Sequence, residues 1–347
     1  WKALTTEADS AALLPLLESM ETASPLARNW LRSAVDVIVE REQAAGNPLP
    51  VATLGDFLLD TRQSPQARRQ AFDLIAKIAP ETADSMVPGF LSDPSTSLRR
   101  DAVQRLMDQA SASDDPTASL LFRQQAIAAA RDVDQIEKLA EALEDAGHSV
   151  DLPEHFGFLM YWKMAAPFDN TDRAGFDTVH PPEEALDLDA TYTGKEGKEF
   201  TWIDNETTDP FGMVDFNPVY DPLKQVIGYA TTDFHAPAAG PAEIRLGCKN
   251  AWKIWLNGEY VFGRDEYHRG TKIDQYILPV QLEAGQNTLL IKVCQNEQEQ
   301  DWTSEWQFQM RICDSTGTAI LGTERPPTPV KAAVDRRGRP ITAEDAP

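Results

Sequence analysis

Trp252-Lys-Ile-Trp-Leu-Asn-Gly-Glu-Tyr-Val-Phe262, followed by Glu283-Ala-Gly-Gln-Asn-Thr-Leu-Leu-Ile-Lys-Val293, decides the fold. Asn257-Gly258 lies between two apolar runs. Both central positions of a two-residue hairpin turn need φ above zero, and Asn-Gly meets that demand at the lowest cost. A hairpin on this turn places Leu256 opposite Glu259, Trp255 opposite Tyr260, Ile254 opposite Val261 and Lys253 opposite Phe262. Trp255, Tyr260, Lys253 and Phe262 then share one side of the ribbon. Glu283–Asn287 reads as a turn that feeds a core strand.

Working outward, the same period of two recurs. Ile244 and Leu246 alternate with Glu243 and Arg245, and Trp306, Phe308, Met310 and Ile312 alternate with Gln307, Gln309 and Arg311. Half-buried antiparallel strands have this pattern. Upstream, Phe158–Trp162 and Glu199–Ile203 read as strands, and Gly212–Phe216 as a short apolar run. The expectation is an antiparallel β-sandwich over residues 151–322, with residues 323–347 a Pro-rich polar tail.

Several motifs of this half occur together: Trp162, Pro167–Asn170, Gly175–Asp177, Pro181–Glu183, Trp202, Trp255–Gly258 and Glu283–Asn287. Their arrangement resembles the jelly-roll module of large, often secreted, multidomain bacterial proteins of planctomycete type. It is similar in outline to galactose-binding-like domains and to the sandwich appendages of glycoside hydrolases. The resemblance covers about residues 155–315. It implies a jelly roll that recognises carbohydrate or braces a neighbouring domain.

Residues 1–150 have a different texture. Arg32-Ser-Ala-Val-Asp-Val-Ile38 matches Arg69-Gln-Ala-Phe-Asp-Leu-Ile75 almost position by position, and Arg100-Asp-Ala-Val-Gln-Arg-Leu106 follows the same pattern, at spacings of 37 and 31 residues. Gln125-Ala-Ile127 reads as the start of a fourth, weaker copy. Periods of this size come from stacked helix pairs, in which a small Ala allows close approach and Val, Leu and Ile bury one face. Ser64-Pro65, Asp93-Pro94-Ser95 and Asp115-Pro116-Thr117 supply helix starts, and Gly147 closes a helix over 133–146. The pattern resembles HEAT-like α-solenoid repeats over about residues 25–145. The fold class expected is therefore multidomain, an α-solenoid followed by an all-β sandwich.

The totals narrow the partners. A net charge of −23 and a pI near 4.5 repel phosphate backbones and anionic membrane surfaces, so neither nucleic acid nor membrane insertion is expected. No apolar run approaches the roughly 20 residues of a membrane helix. The chain opens on Trp1, which reads as a processed or trimmed piece of something longer, and an extracytoplasmic setting, periplasmic or secreted, is the expectation. Cys248, Cys294 and Cys313 form no metal or haem spacing. Cys248 continues the inward set of Ile244 and Leu246. If the strands of Cys294 and Cys313 form a hairpin, the two thiols stand roughly 20 Å apart, too far to bridge.

Catalytic motifs are missing from the sequence: there is no G-x-S-x-G, no H-E-x-x-H, no phosphate-binding loop and no dinucleotide fingerprint. His148, His155, His180, His235 and His268 are isolated from one another. Glu183, Glu184, Asp204, Asp209, Asp215, Asp265 and Glu266 offer acidic pairs of the glycosidase kind, against a background of 55 acidic residues. Arg264-Asp-Glu-Tyr-His-Arg-Gly270 combines charged donors and acceptors with a ring, the mixture that sugar contacts use. The candidate ligand-binding set is Trp255, Tyr260, Arg264, Asp265, Tyr267, His268 and Arg269. The competing reading makes Trp255, Tyr260 and Phe262 core and Arg264–Asp265 a surface ion pair. Asp265, Glu266 and Asp274 are possible Ca²⁺ ligands, without calcium-loop spacing. No other cofactor is expected. The functional expectation is a non-catalytic module that binds carbohydrate or docks a neighbouring protein domain. A structural spacer and a glycan-active enzyme using an acidic pair are the alternatives.

Overall fold

The structure, a computed structural model, describes residues 1–331. The chain divides into two compact units, residues 1–150 and residues from 151 on.

The first unit is helical: α1 Lys2–Glu7, α2 Leu13–Glu18, α3 Pro25–Ala44, α4 Val51–Leu59, α5 Pro65–Ile78, α6 Pro80–Met86, α7 Thr96–Ala112, α8 Pro116–Ala129 and α9 Val133–Glu144. Ser24, Ser64 and Asp115 cap α3, α5 and α8 with side-chain oxygens, each before a Pro in the first turn. Asp93 does something else. Helix α7 begins only at Thr96, and the Asp93 carboxylate accepts from Ser95 N (2.7 Å) and from both terminal nitrogens of Arg68 (2.8 and 2.6 Å). This ion pair is buried. Helix α9 stops at Glu144, two residues short of the expected end, and Gly147 follows at φ +81°.

The three similar segments sit on α3, α5 and α7, and their alanines, Ala34, Ala71 and Ala102, are fully buried. Each segment bonds to the next. Gln70 donates to Asp36 (2.8 Å), Arg69 pairs with Asp101, and Arg100 donates to Asp134 (2.7 Å twice). The segment in line after α7 is α9, with Asp134 and Gln135, whereas Gln125–Ile127 lies on α8, the partner helix between them.

The second unit holds three short helices, α10 Leu152–Phe156, α11 Pro181–Glu184 and α12 Asn217–Tyr220. Its strands are β1 Tyr161–Asp169, β2 Tyr192–Thr193, β3 Glu199–Phe200, β4 Ile203–Glu206, β5 Val214–Asp215, β6 Val226–Ala236, β7 Gly240–Cys248, β8 Ala251–Leu256, β9 Glu259–Arg264, β10 Tyr276–Leu282, β11 Gly285–Gln295 and β12 Gln307–Cys313. They form a six-stranded sheet in the order β4-β1-β6-β11-β8-β9, a four-stranded sheet β10-β7-β12-β5 and the pair β2-β3. The register is antiparallel throughout. Trp162, Met164, Ala230, Phe234, Trp252, Ile254, Leu289, Ile291 and Val293 of the larger sheet share one core with Ile244, Leu246, Phe308, Met310 and Ile312 of the smaller.

Strand boundaries differ from the sequence reading where apolar runs serve other ends. Phe158 makes only an isolated bridge to Arg311, and the first long strand begins at Tyr161. The stretch expected as one strand over 199–203 is divided between β3 and β4. Cys294 and Cys313 belong to different sheets, not to one hairpin, and all three cysteines are free and buried.

The hairpin turns at Asn257 (φ +53°) and Gly258 (φ +80°), with Leu256 opposite Glu259 and Trp255 opposite Tyr260. Beyond that pair a bulge at Val261 shifts the register, so Ile254 faces Phe262 and Lys253 faces Gly263. Phe262 therefore leaves the Trp255 side and lies beside Trp252, ring centroids 6.0 Å apart. Asn257 also ties the turn to the next strand, donating from its backbone to Thr288 O and accepting from Thr288 N, both at 2.8 Å. The buried Asn287 closes the other turn by donating to Glu283 O (2.8 Å) and Gly285 O (3.0 Å).

Residues after 322 do not leave the unit at once. Arg325 donates to Phe158 O (2.9 Å) and Pro153 O (3.1 Å), and Pro327 O accepts from Tyr161 OH (2.8 Å). The remainder of the expected tail, residues 332–347, lies outside the described residues.

Candidate ligand cleft on the sheet face

The face of the six-stranded sheet turned away from the shared core is half covered. Its cover is the segment between β1 and β4, and the recurrent motifs of the sequence hold it down. Phe168, Phe176, Tyr192, Trp202, Tyr229, Trp255, Leu290 and Cys294 form a second apolar cluster there. Gly175 is required by space: a Cβ would stand 2.4 Å from Asp169 O and 2.6 Å from Ile227 Cδ1. The fully buried Asn170 donates to Gln295 O (2.9 Å) and to Tyr267 OH (3.1 Å). Lys253 Nζ sits 4.3 Å from the Phe176 ring centroid and 3.5 Å from Asp177.

Under the cover lies Lys292 of β11. Its ammonium donates to Glu183 Oε1 (2.8 Å), Thr178 O (2.8 Å) and Phe176 O (3.1 Å), and Tyr229 OH donates to the same Glu183 oxygen. Burial holds the lysine below its usual pKa, and burial together with the Glu183 charge holds the Tyr229 phenol well above its own. His180, at the start of α11, is pushed down from 6.5 to about 4, chiefly by burial and then by Lys292. Lys292, Glu183 and Tyr229 are committed to holding the cover, whereas the buried His180 Nε2 has no hydrogen-bond partner among the described residues.

The uncovered half of the same face is a cleft of about 570 Å³. Its floor is Tyr161 and Lys163 of β1, Asp204 and Glu206 of β4, Thr231 and Asp233 of β6, and Gln286 and Thr288 of β11, with Leu186 and Leu188 of the cover forming a wall. Alternation puts them on one face: Trp162 and Met164 point into the core, so Tyr161 and Lys163 point out. Tyr161 faces Glu206, Lys163 faces Asp204 and Thr231, and Asp233 faces Thr288, whose hydroxyl donates to it (2.6 Å). Lys163 pairs with Asp204.

The residues that the sequence singled out are elsewhere. Trp255 is buried in the apolar cluster, while Tyr260, 5.8 Å from it edge-on, is exposed. Tyr267 packs on that cluster, with Arg173 5.2 Å above its ring. Arg264 and Arg269 both pair with Glu266, at 3.1 and 3.4 Å, and Asp265 is exposed. His268 Nε2 is 3.1 Å from Asn296 Oδ1, and its ring stands edge-on to the exposed Trp302 at 5.2 Å. None of the seven lines the cleft. Asp274 accepts from Arg245 (2.7 Å) and Arg311 (2.6 Å), so it and Glu266 spend their oxygens on guanidinium groups. Among the described residues no three His, Cys, Asp or Glu side chains gather as a metal-ligand group. No described helix is long and apolar enough to cross a membrane.

No protein-family model matches the sequence, and no curated protein matches it. Solved structures that are similar in part include a β-glucosidase from Kluyveromyces marxianus, at 14% identity and TM-score 0.26 over 36% of this chain. A family 35 carbohydrate-binding module from Clostridium thermocellum aligns at 16% identity and TM-score 0.19, over 26% of this chain and 73% of that one. A β-glucuronidase from Ruminococcus gnavus aligns at 11% identity and TM-score 0.27, over 45% of this chain and 28% of that one. The chain spans 16% and 10% of the two Kluyveromyces marxianus β-glucosidase chains that it matches.

Proposed function

We propose that the second unit is a jelly-roll sandwich of galactose-binding-like type that binds carbohydrate without converting it. In this reading it serves a larger extracytoplasmic protein, and the first unit is a HEAT-like stack. The carrying observation is the cleft, which sets one aromatic ring among hydroxyl, amide and carboxylate groups on a rigid sheet. A ring accepts the C–H face of a pyranose, and planar polar groups take its hydroxyls. The size suits one or two sugar rings.

Titration calorimetry of the intact chain against neutral oligosaccharides tests this. Binding is expected, weakened about tenfold by Tyr161→Ala through the lost ring contact. Heats indistinguishable from dilution across the set would remove the carbohydrate reading. Turnover of reporter glycosides would replace it with an enzyme.

Docking of a neighbouring domain is the second reading, and the helical unit favours it. Trp1 and Trp30 stack edge-on at 5.9 Å, both more than half exposed, and Leu26 is 69% exposed. Contiguous apolar surface of this kind marks contact sites. A Trp30→Asp chain that associates with the rest of its polypeptide as well as the parent does would count against it.

A further inference from the structure

The charges inside the cleft are unequal. Asp204 is matched by Lys163, but Glu206 and Asp233 have no ion-pair partner among the described residues. They flank the one ring on the floor. Glu206 lies directly across from Tyr161 on β4. Lys163 pairs with Thr231, so Tyr161, two residues before, and Asp233, two residues after, share the open end of the same two strands. Asp233 is oriented by the Thr288 hydroxyl. A ligand resting on Tyr161 thus meets a carboxylate on either side, and Lys163, the cation that lines the cleft, is already paired with Asp204; Arg325, beside Tyr161 and Asp233 in the adjoining hollow, donates to Phe158 O and Pro153 O.

We infer that the cleft selects sugars carrying an unsubstituted amine, present as an ammonium, over their N-acetylated and acidic counterparts. The inference rests on the carbohydrate reading and adds the substrate class to it. An ammonium offers three donors to two acceptor-only carboxylates, whereas an acetamide offers one and a uronate or sulfate none. The net charge of −23 adds a field of the same sign over the whole molecule.

The test compares a glucosamine trimer, the N-acetylglucosamine trimer and a galacturonic acid trimer by calorimetry on the intact chain. Each exposed ion pair contributes a factor of about 2–5, so the amine should bind about 5–20 times more tightly than the acetamide. The preference should shrink in high salt and as pH rises through the amine's own titration. Glu206→Gln with Asp233→Asn should abolish the preference, bringing the glucosamine and N-acetylglucosamine trimers to equal affinity whatever the change in each. Equal affinity for all three trimers, or a preference that survives the double variant, overturns the inference and leaves carbohydrate binding standing. No binding of any of the three trimers overturns the inference, and if the neutral oligosaccharides give no heat either, the carbohydrate reading falls with it. Tighter binding of an oligolysine peptide than of the glucosamine trimer assigns the carboxylates to a peptide ligand and also overturns it.

Discussion

Lys292 Nζ lies 2.8 Å from Glu183 Oε1 inside the cover of the six-stranded sheet, with the lysine side chain fully buried and the glutamate 7% exposed. The pair joins the middle of a long strand to the start of α11, residues 109 apart in sequence. Removing one partner leaves the other charge without compensation. Lys292→Met alone and Glu183→Leu alone should each cost about 3–5 kcal/mol, while Lys292→Met with Glu183→Leu should cost less than the sum. Urea denaturation of the four chains measures this, and additive losses would contradict a coupled pair.

His180 should give the cover a pH response. Its folded pKa is about 4 against 6.5 when free, so the unfolded chain takes up the proton first as pH falls. The contribution is complete above pH 6.5, is lost between 6.5 and about 4, and levels off below that. After allowance for partial exposure of the ring, the loss is about 1–2 kcal/mol. Stability curves of the parent and His180→Gln between pH 4 and 7 should differ by this slope, and parallel curves would refute it.

Gly175 tolerates no side chain. The Cβ of Gly175→Ala would meet a backbone oxygen and a buried isoleucine methyl, neither of which can swing away. A loss of about 1–3 kcal/mol is expected, by the usual cost of overpacking. Hydrogen exchange should show it as faster exchange over residues 169–184, with exchange in β7 and β12 unchanged.

Trp255 should behave as core. Trp255→Ala should lower stability by about 3–5 kcal/mol. Affinity of the protein that remains folded should be unchanged for any sugar that Tyr161→Ala weakens. Paired thermal melts and calorimetry separate the two effects, and a stable variant that no longer binds would return Trp255 to the site.

The hairpin, the alternating strands and the helical character of residues 1–150 were legible because each rests on local chemistry: φ above zero at Asn257-Gly258, period two along β7, β11 and β12, and capped apolar faces in the helices. The site was not. Tyr161, Glu206, Asp233 and Thr288 come from four strands, and only pairing order makes them neighbours. A partial signal existed, since Tyr161 and Lys163 alternate with the buried Trp162 and Met164. The loop Arg264–Gly270 had the right composition for a sugar site, but Tyr267 turns inward against the apolar cluster and Glu266 satisfies both arginines. Phe262 was misplaced by a single extra residue at Val261, which no period-two count reveals.

Arg325 has a practical consequence for anyone trimming this chain. Its guanidinium holds the carbonyls of Pro153 and Phe158, at the opposite end of the second unit's own sequence. A recombinant fragment stopped at residue 322, the boundary that the Pro-rich polar stretch suggests, would remove the Arg325 donor from both carbonyls and free Tyr161, on the floor of the cleft, from its anchor on Pro327. Fragments ending beyond Pro327 are the ones to express when sugar affinity is to be measured.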